Sequence, residues 1–196
     1  MLLIFYAQLS MAEAPSWNQL HADQGQATSF LQGNWNKYTE NYHPNYAFDG
    51  NPETAWVEGA DGDGVGQTLS WDVSSLSTAN SVKIRVRNGY QKSAGLLTAN
   101  AAPEQVRVSV WSGRDKVAEH LATLDRKLGW QDVVVDVRGQ PMNHIELEVV
   151  SAHTGTKYRD LCISDVETWV DSTVTYDADF EASKLSTLLA WVGERV

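Results

Sequence analysis

Hydrophobic and polar residues alternate along most of the chain after residue 66. In residues 81–87 (SVKIRVR), Val82, Ile84 and Val86 alternate with basic residues, which predicts a strand with one buried face. Turn residues separate such segments, and no helical pattern alternates with them. We therefore predict an all-β fold, a jelly-roll β-sandwich of about eight antiparallel strands. The other predicted strands are residues 67–73, 105–111, 117–124, 131–137, 145–150 and 161–170.

The C-terminal part of the chain carries a helical pattern instead. Leu185, Leu188, Leu189 and Val192 recur at helical spacing, which predicts a short C-terminal helix within residues 182–195. Three roles stay open for this helix: it packs back on the sandwich, it mediates assembly, or it leads into a further part of the protein. We assign residues 20–170 to the β-sandwich and residues 171–196 to a C-terminal extension.

The N-terminal part is apolar at first and polar afterwards. Residues 1–14 (MLLIFYAQLSMAEA) end in Ala-Glu-Ala, which is typical of a signal peptide before its cleavage site. We interpret them as a signal-peptide remnant and expect a secreted protein, periplasmic or extracellular; the alternative is an ordinary first strand or helix. Residues 15–42 are polar and weakly patterned, which predicts a long loop with one short helical turn or strand.

Composition excludes several classes of partner and site. The net charge of −10 gives the chain no broad attraction for nucleic acid or anionic membranes. No segment reaches the length of a membrane span. The single cysteine, Cys162, excludes an internal disulfide and a cysteine-rich zinc site, and its apolar surroundings predict a buried thiol. The tryptophans in or beside strands are predicted to lie in the core: Trp56, Trp71, Trp130 and Trp169.

Oxygen-bearing side chains cluster in the loop of residues 42–56 (YHPNYAFDGNPETAW). Asp49, Asn51, Glu53 and Thr54 surround Gly50, which lets the backbone turn tightly. Ca²⁺ takes about six to eight oxygen ligands, and a tight loop supplies several of them. The alternative is a well-capped loop with no ion, because Asp-Gly-Asn turns are common.

Several short motifs occur in one order along the chain. They are Tyr42-x-Pro44, residues 45–56 (NYAFDGNPETAW), 62–66, 88–93 (NGYQKS), Asn100 and 161–167 (LCISDVE). Over residues 20–170 this order resembles the discoidin or coagulation factor 5/8 C-type domains of the galactose-binding-like class. It is most similar to the bacterial glycan-binding domain attached to secreted NAD glycohydrolases. The resemblance implies a galactose-binding-like jelly roll that binds a glycan and does no chemistry of its own.

The same resemblance implies one structural calcium ion between the loop and the last strand. The family's last strand usually reads Ile-Ser-Glu, whereas Asp165 takes the place of the glutamate here and has a shorter side chain. Glu167 lies two residues further along, on the same face of the strand, and is a substitute candidate. Such an ion would tie together segments about 110 residues apart. The implied ligands are Tyr46 through its carbonyl, Asp49, Asn51, Thr54, Asp165 and Glu167.

Sugar-binding residues are expected on the loops at one end of such a sandwich, on its rigid framework. A sugar needs a flat aromatic face with hydrogen-bonding side chains around it. The alternative for each candidate is a side chain that packs under its loop or is solvated. The candidates come from three loops: Trp35 and Tyr38, then Tyr90 and Lys92, then His153, Tyr158 and Arg159.

No catalytic motif accompanies these residues. The sequence has no Gly-x-Ser-x-Gly, His-Glu-x-x-His or P-loop motif, and carboxylate pairs in an acidic chain do not identify a glycosidase. We therefore predict a secreted, calcium-stabilised, non-catalytic module whose partner is a glycan or other extracellular ligand. Two alternatives stay open: an interaction domain whose C-terminal helix docks a partner protein, and an accessory fragment of a larger secreted enzyme.

Overall fold

The computed structural model describes residues 16–33, 37–76, 79–171 and 177–195, which contain two five-stranded antiparallel sheets. The first sheet has the order β1 (Asn18–Leu20), β10 (Cys162–Val170), β5 (Ser81–Asn88) and β8 (Gln131–Asp136), and β3 (Trp56–Val57) also pairs with β10. The second sheet has the order β2 (Gly25–Ala27), β4 (Thr68–Leu76), β9 (Met142–His153), β6 (Ala102–Ser112) and β7 (Asp115–Thr123). The predicted β-sandwich is confirmed.

The core lies between the two sheets. On β5, Val82, Ile84 and Val86 are completely buried, as the alternation predicts, and Leu147 on β9 is buried from the other side. Burial of such side chains stabilises the fold by about 25 cal/mol per Å² of apolar surface. Between the sheets, Nε1 of buried Trp71 donates to Oγ1 of Thr168 at 2.9 Å, so the indole N–H is satisfied inside the core.

The shortest elements carried no signal in the sequence. The strands β1, β2 and β3 have two or three residues each, too few to display a period. The helix α1 (Ala94–Ala99) begins after Ser93, whose hydroxyl oxygen accepts the N–H of Leu96 at 3.1 Å. A 3-10 turn (Pro44–Ala47) begins the loop that contains the predicted calcium ligands.

Two of the four tryptophans predicted for the core lie elsewhere. Trp56 and Trp71 are completely buried, but Trp130 and Trp169 are only half-buried. The guanidinium of Arg87 lies 4.4 Å from the ring centre of Trp130, and the ammonium of Lys83 lies 5.7 Å from that of Trp169. These two tryptophans sit on the outer face of the first sheet, where flat rings cover the stems of basic side chains.

The C-terminal helix packs back on the sandwich. It is α2 (Ala178–Gly193), and Oδ1 of Asp177 caps it by accepting the N–H of Phe180 at 2.9 Å. Leu188 and Val192 are buried against Tyr46 of the 3-10 turn. Within the described part of the chain, no helix combines the length and apolar character needed to cross a bilayer.

A buried carboxylate fastens α2 to the sandwich. Glu181 is 2% exposed and accepts the backbone N–H of His21 at 2.6 Å, and the hydroxyl of Ser74 also donates to it. One turn further, Nζ of Lys184 lies 3.3 Å from a carboxylate oxygen of Asp23. The helix is therefore positioned by polar groups as well as by its apolar side chains.

Replacing Glu181 by Ala is expected to lower the free energy of unfolding by about 1–3 kcal/mol, because buried donors lose their acceptor. Thermal unfolding followed by circular dichroism measures the change. Glu194→Ala is the matched control, since Glu194 caps the C-terminal end of the same helix and its carboxylate is 76% exposed. Equal shifts for the two variants would show that Glu181 does not fasten the helix.

The contribution of Glu181 should also depend on pH. Burial alone would raise its pKa, but hydrogen bonds from His21 and Ser74, with the charge of Lys184, hold the pKa below its usual value. A lowered folded pKa means that this stabilisation is complete above the ordinary glutamate pKa and is lost as pH falls through the folded value. We expect the Tm difference between wild type and Glu181→Ala to shrink in acid. A difference that stays constant with pH would contradict this.

Candidate functional site

The loop of residues 49–54 is shaped by its own hydrogen bonds. Asp49 accepts the N–H of Asn51 at 2.9 Å on one carboxylate oxygen and the hydroxyl of Thr54 at 2.8 Å on the other. Between them, Gly50 has a φ of +73°, which residues with a side chain rarely adopt. The Asp-Gly-Asn sequence therefore determines a loop in which both oxygens of Asp49 already have donors.

The last strand reaches this loop through Asp165. Oδ1 of Asp165 accepts the N–H of Gly50 at 3.0 Å, and Oδ2 accepts from Nη1 of Arg87 at 3.0 Å. The same Nη1 donates to the carbonyl oxygen of Gly50 at 3.4 Å. We name this arrangement of residues 49–54, Asp165 and Arg87 the loop clasp.

The loop clasp contains two carboxylates that influence each other, the buried Asp165 and the half-buried Asp49. Burial raises the pKa of Asp49 to about 6. Burial, followed by the charge of Asp49, raises the pKa of Asp165 to about 7, and the charge of Arg87 acts in the opposite direction. Both side chains therefore ionise less readily than exposed aspartates, and the charge of Arg87 favours the ionised form of Asp165.

The remaining implied calcium ligands do not complete an ion site. Glu167 accepts from Nη1 of Arg85 at 3.3 Å and from Nε1 of Trp169 at 2.8 Å, so its carboxylate is engaged by sheet residues rather than by the loop. Tyr46 lies in the 3-10 turn and is 2% exposed. In the part of the chain that the structure describes, no group of three His, Cys, Asp or Glu side chains could hold a metal. With a guanidinium on Asp165 and loop donors on both oxygens of Asp49, these groups as they are arranged do not fit a divalent cation.

Tyr90 and Lys92 contact the tip of the same loop. The Tyr90 hydroxyl donates to the carbonyl oxygen of Glu53 at 3.1 Å, and Nζ of Lys92 lies 3.3 Å from the Glu53 carboxylate. Burial raises the pKa of Tyr90 to about 12, so its hydroxyl keeps its proton. Both side chains connect neighbouring loops, and a role for them in ligand binding stays a prediction.

His153, Tyr158 and Arg159, the third group of predicted sugar-binding residues, lie at or on the loop before the last strand. Arg159 pairs with Asp63 at 2.7 Å, which joins this loop to the glycine-rich loop of residues 58–66. Nε2 of His153 lies 2.9 Å from the carbonyl oxygen of Leu124. Tyr158 is 40% exposed, and the ammonium of Lys157 lies 4.8 Å from its ring centre. The polar groups here are engaged in loop contacts, whereas the Tyr158 ring is open to solvent.

Trp35 and Tyr38, the first pair of predicted sugar-binding residues, belong to a segment far from the other two loops in the sequence. Trp35 falls outside the described residues. Tyr38 lies near the C-terminal end of α2, with the guanidinium of Arg195 5.8 Å from its ring centre. Beside it, a cavity of about 370 Å³ opens between the first loops and α2. We name this cavity the helix pocket; its lining residues are Asp23, Gln24, Glu40, His43, Asn45, Thr187, Leu188, Trp191 and Arg195.

The helix pocket combines aromatic rings with charged and amide groups. Arg195 lies 4.0 Å from the ring centre of Trp191 and pairs with Glu40 at 3.2 Å. The imidazole of His43 lies 4.7 Å from the Trp191 ring, and its Nδ1 accepts the N–H of Asn45 at 3.1 Å. Burial lowers the pKa of His43, the charge of Glu40 opposes this, and Arg195 lowers it further. The ring is therefore neutral at neutral pH and donates through Nε2.

Sequence reasoning missed most of the helix pocket. Trp191 and Arg195 are four residues apart on a predicted helix, which places them on one face. This spacing is the one local feature of the sequence that indicates part of the pocket. Glu40 and His43 lie in a segment predicted as loop. No pattern in the sequence indicates that α2 covers this loop, so only the folded chain brings the four side chains together.

Comparison with known proteins places the chain in a family. The model of the NAD glycohydrolase translocation F5/8 type C domain matches residues 19–168. The search of curated proteins found no match.

Solved structures show the same fold at low sequence identity. A family 32 CBM from C. perfringens NanJ, in complex with galactose, has a TM-score of 0.50 and 15% identity and covers 77% of this chain and 98% of that one. CpGH89CBM32-5 from Clostridium perfringens, in complex with GalNAc-β-1,3-galactose, has a TM-score of 0.52 and 13% identity. The match covers 76% of this chain and 98% of that one. A putative chitobiase fragment from Bacteroides thetaiotaomicron has a TM-score of 0.57 and 13% identity, and the match covers 87% of this chain and 100% of that one. Since the family match spans more than half of the sequence, the chain belongs to the NAD glycohydrolase translocation F5/8 type C domain family.

Proposed function

We propose that this chain is a non-catalytic glycan-binding module that acts outside the cytoplasm. Its sandwich is the fold of carbohydrate-binding modules, two of which have been solved in complex with galactose or GalNAc-β-1,3-galactose. Cell fractionation of a host that expresses the full chain tests the location. Recovery in the cytoplasm alone would contradict export.

The helix pocket is the observation that carries the binding proposal. It places the indole of Trp191 beside the imidazole of His43, the guanidinium of Arg195 and the carboxylate of Glu40. A saccharide presents an apolar C–H face to an aromatic ring and hydroxyls to donors and acceptors around it. The cavity volume of about 370 Å³ accommodates a ligand of one or two sugar rings.

Tyr158 offers the alternative surface for the same function. Its ring is exposed beside Lys157 and Arg159, but Arg159 already pairs with Asp63. The helix pocket differs because an indole and an imidazole lie together in a cavity there, whereas Tyr158 is a single exposed ring. Tyr158 and its neighbours stay predicted ligand residues, and the experiment below separates the two surfaces.

An interaction domain is the second candidate function. Phe180 is 52% exposed and Leu189 is 42% exposed on α2, which favours contact with a partner protein. Leu185 and Trp191, however, are half-buried rather than turned outward. The apolar surface of α2 is therefore smaller than the sequence pattern indicates, and a protein partner stays a prediction.

Labelled protein on a glycan array that includes galactose and GalNAc-β-1,3-galactose tests the proposal. Trp191→Ala should weaken binding by about 10-fold or more, because removing an aromatic anchor costs above 1 kcal/mol. Glu40→Gln keeps the aromatic ring and should weaken binding through lost hydrogen bonds. Tyr158→Ala is the matched aromatic control and should bind as wild type does.

Each result on the array has a definite meaning. No bound glycan for the wild type would contradict the function itself. Binding that survives Trp191→Ala but is lost in Tyr158→Ala would move the site to the loop before the last strand. Melting temperatures of the variants identify any loss that comes from unfolding.

A further inference from the structure

We propose that Arg87 closes the loop clasp in the place where the family resemblance implies a calcium ion, so that the fold needs no metal there. The clasp joins the loop of residues 49–54 to the last strand, and a cation between them is the expected way to hold a buried carboxylate against the oxygen atoms of the loop. In this chain the cation is a side chain.

The contacts of Arg87 are those of a bridging cation. Its Nη1 lies 3.0 Å from Oδ2 of Asp165 and 3.4 Å from the carbonyl oxygen of Gly50. The N–H of Gly50 donates to the other oxygen of Asp165 at 3.0 Å. The guanidinium thus contacts the strand carboxylate and a loop carbonyl at once, two kinds of oxygen that a metal ion would also take.

The sheet holds Arg87 in this position. Arg87 on β5 is directly paired with Asp165 on β10 in the antiparallel register. The ring of Trp130 lies against the guanidinium, 4.4 Å from centre to carbon. An arginine keeps its charge at every pH at which a protein is folded, so this cation is always present.

A divalent ion would have to compete with that charge. An ion bound to Asp165 would lie within a few ångströms of the guanidinium, and like charges at that distance repel strongly in a buried site. A cavity of about 210 Å³ lined by Asp49, Asp165 and Glu167 lies beside the clasp. An ion therefore has room to approach, so a failure to bind would reflect repulsion by the guanidinium rather than lack of space.

The first test uses the wild-type protein with calcium chloride as the probe. We expect no saturable heat in isothermal titration, and a Tm that differs by less than about 1 °C between EGTA and millimolar calcium. Saturable binding together with a rise in Tm would overturn the proposal and restore the calcium site.

The second test compares two arginines on the same strand. Arg87→Met should lower the Tm by about 5–10 °C, because Asp165 is left buried without a cation. Arg85→Met is the matched control: Arg85 also lies over Trp130, at 5.1 Å, but its partners Asp132 and Glu167 are 47% and 23% exposed. A Tm loss in Arg87→Met no larger than in Arg85→Met would also overturn the proposal.

Discussion

The hydrogen bond between Gly50 and Asp165 joins parts of the chain that are 115 residues apart, and much of the fold depends on it. The strand that carries Asp165 pairs with three others, one near the N-terminus, one after the loop and one in mid-chain. Closing a loop this long costs entropy that grows only slowly with its length. A few polar contacts therefore fasten the loop to the last strand, whose register follows from its pairing with the neighbouring strands.

The same loop supports the surface that the ligand proposal uses. Asn45, at the start of the loop, accepts the N–H of Gly25 at 2.8 Å and so connects it to the second sheet. Phe48 lies 5.3 Å from the core ring of Trp71 and also packs on the cluster of Leu188 and Val192. The helix α2 thus packs on a segment that the core and the clasp hold in place. The walls of the helix pocket are therefore fixed by the packing of the fold.

Local pattern predicted the sandwich well and the site less well, for physical reasons. Alternation of apolar and polar residues revealed the long strands, because burial of one face requires it. It gave the wrong environment to Trp130 and Trp169, since ring size does not tell which face of a sheet is covered. The motif around Asp49 indicated the loop, and the family resemblance implied its distant partner Asp165. The role of Arg87 depends on strand register, which no single segment contains. Likewise, the pairing of His43 with Trp191 depends on where α2 docks.

The distribution of charge on the outer face of the first sheet supports placing the proposed ligand contact on loops rather than on that face. The chain has a net charge of −10, yet Lys83, Arg85 and Arg87 form a basic row on β5 between strands that carry carboxylates. Arg85 reaches Asp132 at 3.1 Å on one side and Glu167 at 3.3 Å on the other. These basic groups also lie over the half-buried tryptophans, so charges and rings on this face contact one another. Among the described residues, this face presents few donors or rings without a partner, and the glycan-binding proposal therefore uses the loop end and the pocket beneath α2 instead.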